Sequence, residues 1–144
     1  SNIDGIILAR AGLRRMEMDN LITQNLSVES FVPSPGQGVL CIECLSQHSE
    51  IMNKIKKIVH LNTEICVSAE RIFAAQMDGD CMSPIGAHAT IQKDLISITG
   101  FVATIDGTKS IRNKIEGNKN NYKDLSTRLS NLFIKMGSKG MLKC

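Results

Sequence analysis

Apolar positions recur every three to four residues in two long stretches of the chain and alternate in three shorter stretches between them. In "NTEICVSAERIFAAQMDG", residues 62–79, Ile65, Ala69, Ile72, Phe73 and Met77 fall on one face of a helix. Asn62 is the expected N-cap, and Gly79 stands where a left-handed C-cap belongs. "IGAHATI", "LISITGFVAT" and "SIRNKIE" then read as strands, separated by "QKD" and "IDGT", which carry the turn residues of hairpins. "YKDLSTRLSNLFIKMG" closes the pattern as a helix with Leu125, Leu129, Leu132, Phe133 and Met136 on one face. The predicted order from about residue 61 is α-β-β-β-α. Two amphipathic helices over one face of a three-stranded antiparallel sheet bury an adequate core for that length.

The first sixty residues follow a different pattern. "IDGIILA", about Ile3 to Ala9, reads as a short strand buried on both faces in an α/β sheet, with a turn or helix start at Gly12. "VPSPGQG" has the densest proline and glycine punctuation in the chain and reads as a hinge or linker. "VLCIECL" reads as another strand, and "SEIMNKIKKIVH" as a helix with Ser49 as N-cap and Ile51, Ile55, Ile58 and Val59 at helical spacing. The first strand, isolated, cannot be stable by itself, and its neighbours are missing.

Composition narrows the function classes. With 42% hydrophobic and 22% charged residues the 144-residue chain is ordinary globular protein, and no apolar run approaches the roughly 18 residues of a membrane span, so no membrane partner is expected. The N-terminus has no signal-peptide pattern, and opening on an apolar strand without an initiator Met reads as a fragment. Five cysteines without a framework spacing point to reduced thiols and a cytoplasmic location. A net charge of +3 is too small and dispersed to demand nucleic acid, though it suits acidic ligands.

Three groups of residues carry candidate chemistry. Cys41 and Cys44 in "CIEC", with His48, His60 and Cys66 downstream, suggest a metal site. Residues three apart on a strand point to opposite faces, however, and no second pair completes a tetrahedral set, so no metal is expected. Arg10, Arg14 and Arg15 cluster after the first strand, and Arg71 lies on the helix leading to Cys81; such arginines are either solvated surface or anion ligands. Cys81 itself, in "MDGDCMSPIG", stands beyond a helix C-terminus among aspartates, which disfavours a thiolate. On local sequence it is either a small buried hydrophobe or a thiol that needs no activation.

"ILARAGLRRM", "PSPGQGVLCIEC" and "SAERIFAAQMDGDCMSPIGA", in that order and spacing, resemble the C-terminal half of the porphobilinogen deaminase (hydroxymethylbilane synthase) family over essentially the whole chain. The resemblance implies an α/β protein in which residues 1–32 end domain two, 33–60 form the hinge and the segment returning to domain one, and 61–144 form an α+β third domain. It implies a dipyrromethane cofactor attached covalently to Cys81 by a thioether. It places Leu8, Ala9, Gly12 and Arg15 in the cofactor and substrate cleft, with Arg15 pairing pyrrole carboxylates, and Gln37 at the crossing between domains. The family's catalytic aspartate lies upstream, so no catalytic residue is expected here. Three residues depart from the family pattern: Arg10 for a small apolar residue, Pro35 for Val and Asp80 for Gly.

The implied reaction joins four porphobilinogen molecules into the linear tetrapyrrole hydroxymethylbilane, with release of ammonia, in haem biosynthesis. Porphobilinogen and the growing pyrrole chain are then partners, together with the missing N-terminal half; the complete protein is expected to be a monomer, and this part alone inactive. In that chemistry Cys81 reacts once with a strong electrophile derived from porphobilinogen and thereafter serves as an inert tether, so an unactivated thiol suffices. The rival reading is a double-stranded-RNA-binding domain, which has the same α-β-β-β-α order; it asks for a lysine cluster opening the second helix, where this chain has the mixed charges of "YKDLSTR". A noncatalytic scaffold is the third reading.

Overall fold

The computed structural model describes residues 3–78 and 83–142, which divide into two compact units, Ser1–Phe31 and Val32–Cys144. In the larger unit, helix α3 (Leu61–Met77) leads into strands β1 (Ile85–Gln92), β2 (Leu95–Ala103) and β3 (Ser110–Asn118), followed by helix α4 (Tyr122–Lys135) and a short helix α5 (Ser138–Met141). The sheet is antiparallel in the order β1-β2-β3, as the alternating pattern predicts. Alternation sets the faces: Ala87 and Ala89, Ile96, Ile98 and Val102, and Ile111 point to the helices and are buried, whereas Arg112, Lys114 and Glu116 on the free edge strand remain exposed. Charges on an edge discourage pairing with another chain.

The two helices meet over the middle strand. Phe73 of α3 and Phe133 of α4 stack edge to face with ring centroids 4.9 Å apart, and both are fully buried. Gly100 of β2 lies beneath them, where a Cβ would stand 2.6 Å from Phe73 Cζ. The predicted stripe of α3 is present, with Ala69, Phe73 and Met77 buried. That of α4 is rotated: Leu125, Leu129 and Phe133 are buried, but Leu132 and Met136 are exposed. The cause is close helix contact through two fully buried serines, Ser126 and Ser130, the first donating its hydroxyl to the Ala69 carbonyl at 2.9 Å. A small polar residue whose hydroxyl finds a carbonyl packs as core.

The helix caps differ from the predicted ones by a residue or two. Helix α3 starts at Leu61 and is capped by His60, whose Nδ1 accepts the Thr63 N–H at 3.3 Å, so Asn62 lies inside the helix. Its left-handed C-cap is Asp78, with φ 59°; Gly79, expected there, lies outside the described residues. Ser49, expected as a cap, is the first residue of helix α2 (Ser49–Lys56).

The two expected N-terminal strands do not form. Residues 3–9 and 39–45 have no strand structure, and Ile6, Ile7, Leu8, Leu40 and Ile42 are exposed. Helix α2 buries no residue, and Ile51, Ile58 and Val59 are exposed as well. The physical reason is pairing: a strand needs a neighbour's backbone groups, and among the described residues neither segment has one. The Ser1–Phe31 unit contains helix α1 (Arg10–Arg15) and a single 3-10 turn, Asp19–Leu21, with no buried residue among those described.

Candidate functional site

Helix α1 carries two of the four predicted N-terminal site residues, Gly12 and Arg15, and the other two directly precede it. Leu8 is exposed in the extended segment before it, and Ala9 is its N-cap, with a carbonyl that accepts the Gly12 N–H at 3.0 Å. Gly12 lies within the helix and is exposed, as is Arg15 in the last turn. Cationic side chains there complement the carbonyl end of the helix. Arg14 approaches Asp19 at 3.8 Å with both side chains exposed, a weak surface pair. Arg15 makes no ion pair among the described residues, so its guanidinium is available to an anion.

Cys81 lies outside the described residues. The described chain on its two sides is firmly held: Met77, at the end of α3, is 1% exposed, and Ala87, early in β1, is fully buried. In sequence Cys81 stands four residues after the end of α3 and four before the start of β1. Arg71, on that helix, is exposed.

The segments that carry the family resemblance in this unit converge at the edge of β1. Ser34, Pro35, Gly36 and Gln37 form a turn closed by the Gln37 N–H to the Ser34 carbonyl at 3.0 Å, with Gly36 at φ 74°. A type II turn needs a positive φ at its third residue, which glycine supplies, and favours proline second, so the punctuated pattern forms a defined turn here. Immediately before it, the Pro33 carbonyl accepts the Ala87 N–H at 2.9 Å. The preceding Val32 carbonyl lies where a Cβ on Gly86 would be, at 2.7 Å. The glycine of the "SPIGA" stretch thus permits the close approach of a backbone.

Glu70, from the "AER" of α3, completes the arrangement. It is 6% exposed, and its two oxygens divide between two backbone donors: Oε2 accepts the Gly36 N–H and Oε1 the Ala89 N–H, each at 2.8 Å. His88 Nδ1 is 3.9 Å from Oε1, beyond hydrogen-bond reach. A groove of about 380 Å³ beside this cluster is lined by Gln37, His60, Cys66, Glu70 and His88 among others. Burial, and then the Glu70 carboxylate, push the Cys66 thiol up from its ordinary value, which makes it a weak nucleophile.

Sequence reasoning missed Glu70 as a site residue. Its signal was an acidic side chain four residues after Cys66 and three before Phe73, on the stripe that the helix buries. A carboxylate at such a position requires internal donors. Cys41 and Cys44 do not lie on the expected strand: Cys41 is exposed and Cys44 half-buried, in irregular chain.

Comparison with known proteins gives two family matches. Residues 64–135, which include Cys81, match the model described as porphobilinogen deaminase, C-terminal domain. Residues 1–53, which include Leu8, Ala9, Gly12 and Arg15, match porphobilinogen deaminase, dipyromethane cofactor binding domain. The chain is 36% identical over 141 residues to the porphobilinogen deaminase of Desulforamulus reducens, covering 98% of this chain and 46% of the relative. It is 41% identical over 134 residues to that of Clostridium botulinum strain Kyoto, covering 93% and 45%, and 32% identical over 142 residues to that of Trichlorobacter lovleyi, covering 99% and 46%. The chain spans about half the length of these curated relatives. Among the described residues no helix is long and apolar enough to cross a membrane.

Proposed function

The chain belongs to the porphobilinogen deaminase family, as its C-terminal part, and from that premise we propose that the whole protein joins four porphobilinogen molecules into hydroxymethylbilane with release of ammonia. Cys81 is the thioether anchor of the dipyrromethane cofactor in this reading, Arg15 a ligand for pyrrole carboxylates, and Leu8, Ala9 and Gly12 part of the cleft. The duplex-RNA reading is set aside, because both halves of the chain match the deaminase family.

The observation that carries the reading is the meeting of the "PSPGQG", "AER" and "SPIGA" segments at one edge of the sheet, through Gly36, Glu70 and Gly86. Three motifs far apart in sequence thus work as one structural unit. The residues also suit the cofactor chemically. Each pyrrole carries an acetate and a propionate, and Arg10 and Arg15 are exposed cations of the kind that takes carboxylates bidentately. When bound, dipyrromethane supplies the covalent primer on which further pyrroles are joined. The chain's own task at Cys81 is to form one bond, which needs no lowered pKa.

The test is the intact mass of the protein produced together with the N-terminal half of a deaminase. An addition of two pyrrole units is expected, absent from Cys81→Ser, whose hydroxyl is a far weaker nucleophile. Arg15→Leu should keep the addition but bind acidic pyrroles more weakly, through loss of a contact worth roughly 1.5–3 kcal/mol. Unmodified parent protein, or a serine variant carrying the adduct at parental levels, would reject the assignment.

A further inference from the structure

We infer that Glu70 is a positioning residue: its carboxylate latches the turn at residues 33–38 onto the free edge of β1 and so fixes where the chain enters the Val32–Cys144 unit. Among the described residues no strand pairs with this edge of β1, and two of its outward N–H groups find other acceptors. Ala87 donates to the Pro33 carbonyl at 2.9 Å and Ala89 to Glu70 Oε1 at 2.8 Å. The second carboxylate oxygen reaches the turn itself, at the Gly36 N–H, 2.8 Å away. One side chain therefore bridges helix, sheet edge and turn.

The chemistry demands glutamate in particular. A carboxylate accepts at both oxygens, and each oxygen here holds one donor at the short distance of a charge-assisted bond. Glutamine has one accepting oxygen, so its amide nitrogen would face one of the two N–H groups. Aspartate is a methylene too short to span both. An apolar residue would leave both donors without an acceptor. Glu70 is 6% exposed, and a carboxyl group so far from water needs internal donors, which the two backbone N–H groups supply. With the Val32 carbonyl against Gly86, the latch gives the segment 32–36 three attachments within five residues. A change of chain direction has to be taken up on either side of it. If the proposed function holds, Glu70 acts on the reaction only through the placement of that segment.

Site-resolved amide exchange of this chain by NMR tests the latch. Glu70→Gln should speed exchange of one of the Gly36 and Ala89 amides by about tenfold or more, and Glu70→Ala should speed both, while Ile98 and Leu129 keep their rates. The amide resonances of Gly36 and Ala89 should move upfield as their acceptor is lost. His88→Gln should leave both amides unchanged. A Glu70→Gln chain that retains both amides at parental protection would overturn the inference. So would one that loses protection throughout, which would make Glu70 an ordinary core residue. The measurement reads no pyrrole chemistry, so its failure leaves the cofactor assignment intact, and an absent adduct leaves the latch intact.

Discussion

Replacing Gly86 with alanine probes the seat on which the turn rests. The added Cβ would stand 2.7 Å from the Val32 carbonyl oxygen and 3.1 Å from Val32 Cβ and Cγ1. An ordinary carbon-to-oxygen contact is about 3.3 Å or more, so the Val32–Pro33 backbone must retreat by roughly half an ångström. The neighbouring bond, Ala87 N–H to Pro33 carbonyl, starts at 2.9 Å and would stretch to the edge of hydrogen-bond range. Ala87 is fully buried, so its N–H has no water to turn to. Its loss costs about 1–3 kcal/mol, whereas the alanine stiffens the unfolded chain and returns about 0.4–1 kcal/mol. The expected net is a destabilisation of about 1–2 kcal/mol, a fall in Tm of roughly 3–8 °C. Thermal unfolding followed by circular dichroism reads the shift, and faster exchange of the Ala87 amide localises it. A Gly86→Ala protein that melts at or above the parent with the Ala87 amide still slow would show that Val32 does not press on β1.

Two further substitutions test other parts of the fold. Gly100→Ala should destabilise by about 2–3 kcal/mol, because the new Cβ meets Phe73 at 2.6 Å and Phe133 at 3.1 Å, both rings fully buried. Gly117→Ala should cost less, since it meets only the Leu125 methyls at 2.9 and 3.0 Å, which have rotamers to move into; the reverse ranking in urea titrations would contradict the packing described. At the β2–β3 turn, hydrogen bonds from Thr104 and Thr108 hold the Asp106 carboxyl well below its ordinary 3.8, at about 2. The folded state thus favours the charged form, so this contribution is present above about pH 4 and disappears as pH falls through about 2. Asp106→Asn retains an accepting oxygen but does not titrate, and should flatten the acid limb of the stability curve there; an unchanged acid limb would refute the role of these bonds.

How much of this was legible depended on whether a residue's partner lies nearby in sequence. The α-β-β-β-α unit was readable because its periods, hairpin turns and helix stripes are local, and the sheet formed in the predicted order. Ile3–Ala9 and "VLCIECL" were misread because hydrophobicity records a demand for burial and not the neighbour that meets it; Leu40, 96% exposed, has that demand unmet in this chain. The same distinction explains the site. Cys81 and Arg15 drew attention as residue types with chemistry, whereas Glu70 and Gly86 acquire their roles only from backbone groups brought to them by the fold: Gly36 from 34 residues away for Glu70, and Val32 for Gly86. A buried carboxylate on a helix stripe and a glycine early in a strand are each anomalies in a one-dimensional pattern. Each is resolved here by the segment 32–36, so Glu70 and Gly86 are best treated as a single unit when this chain is compared with its relatives, because a change at either one alters the support of the other.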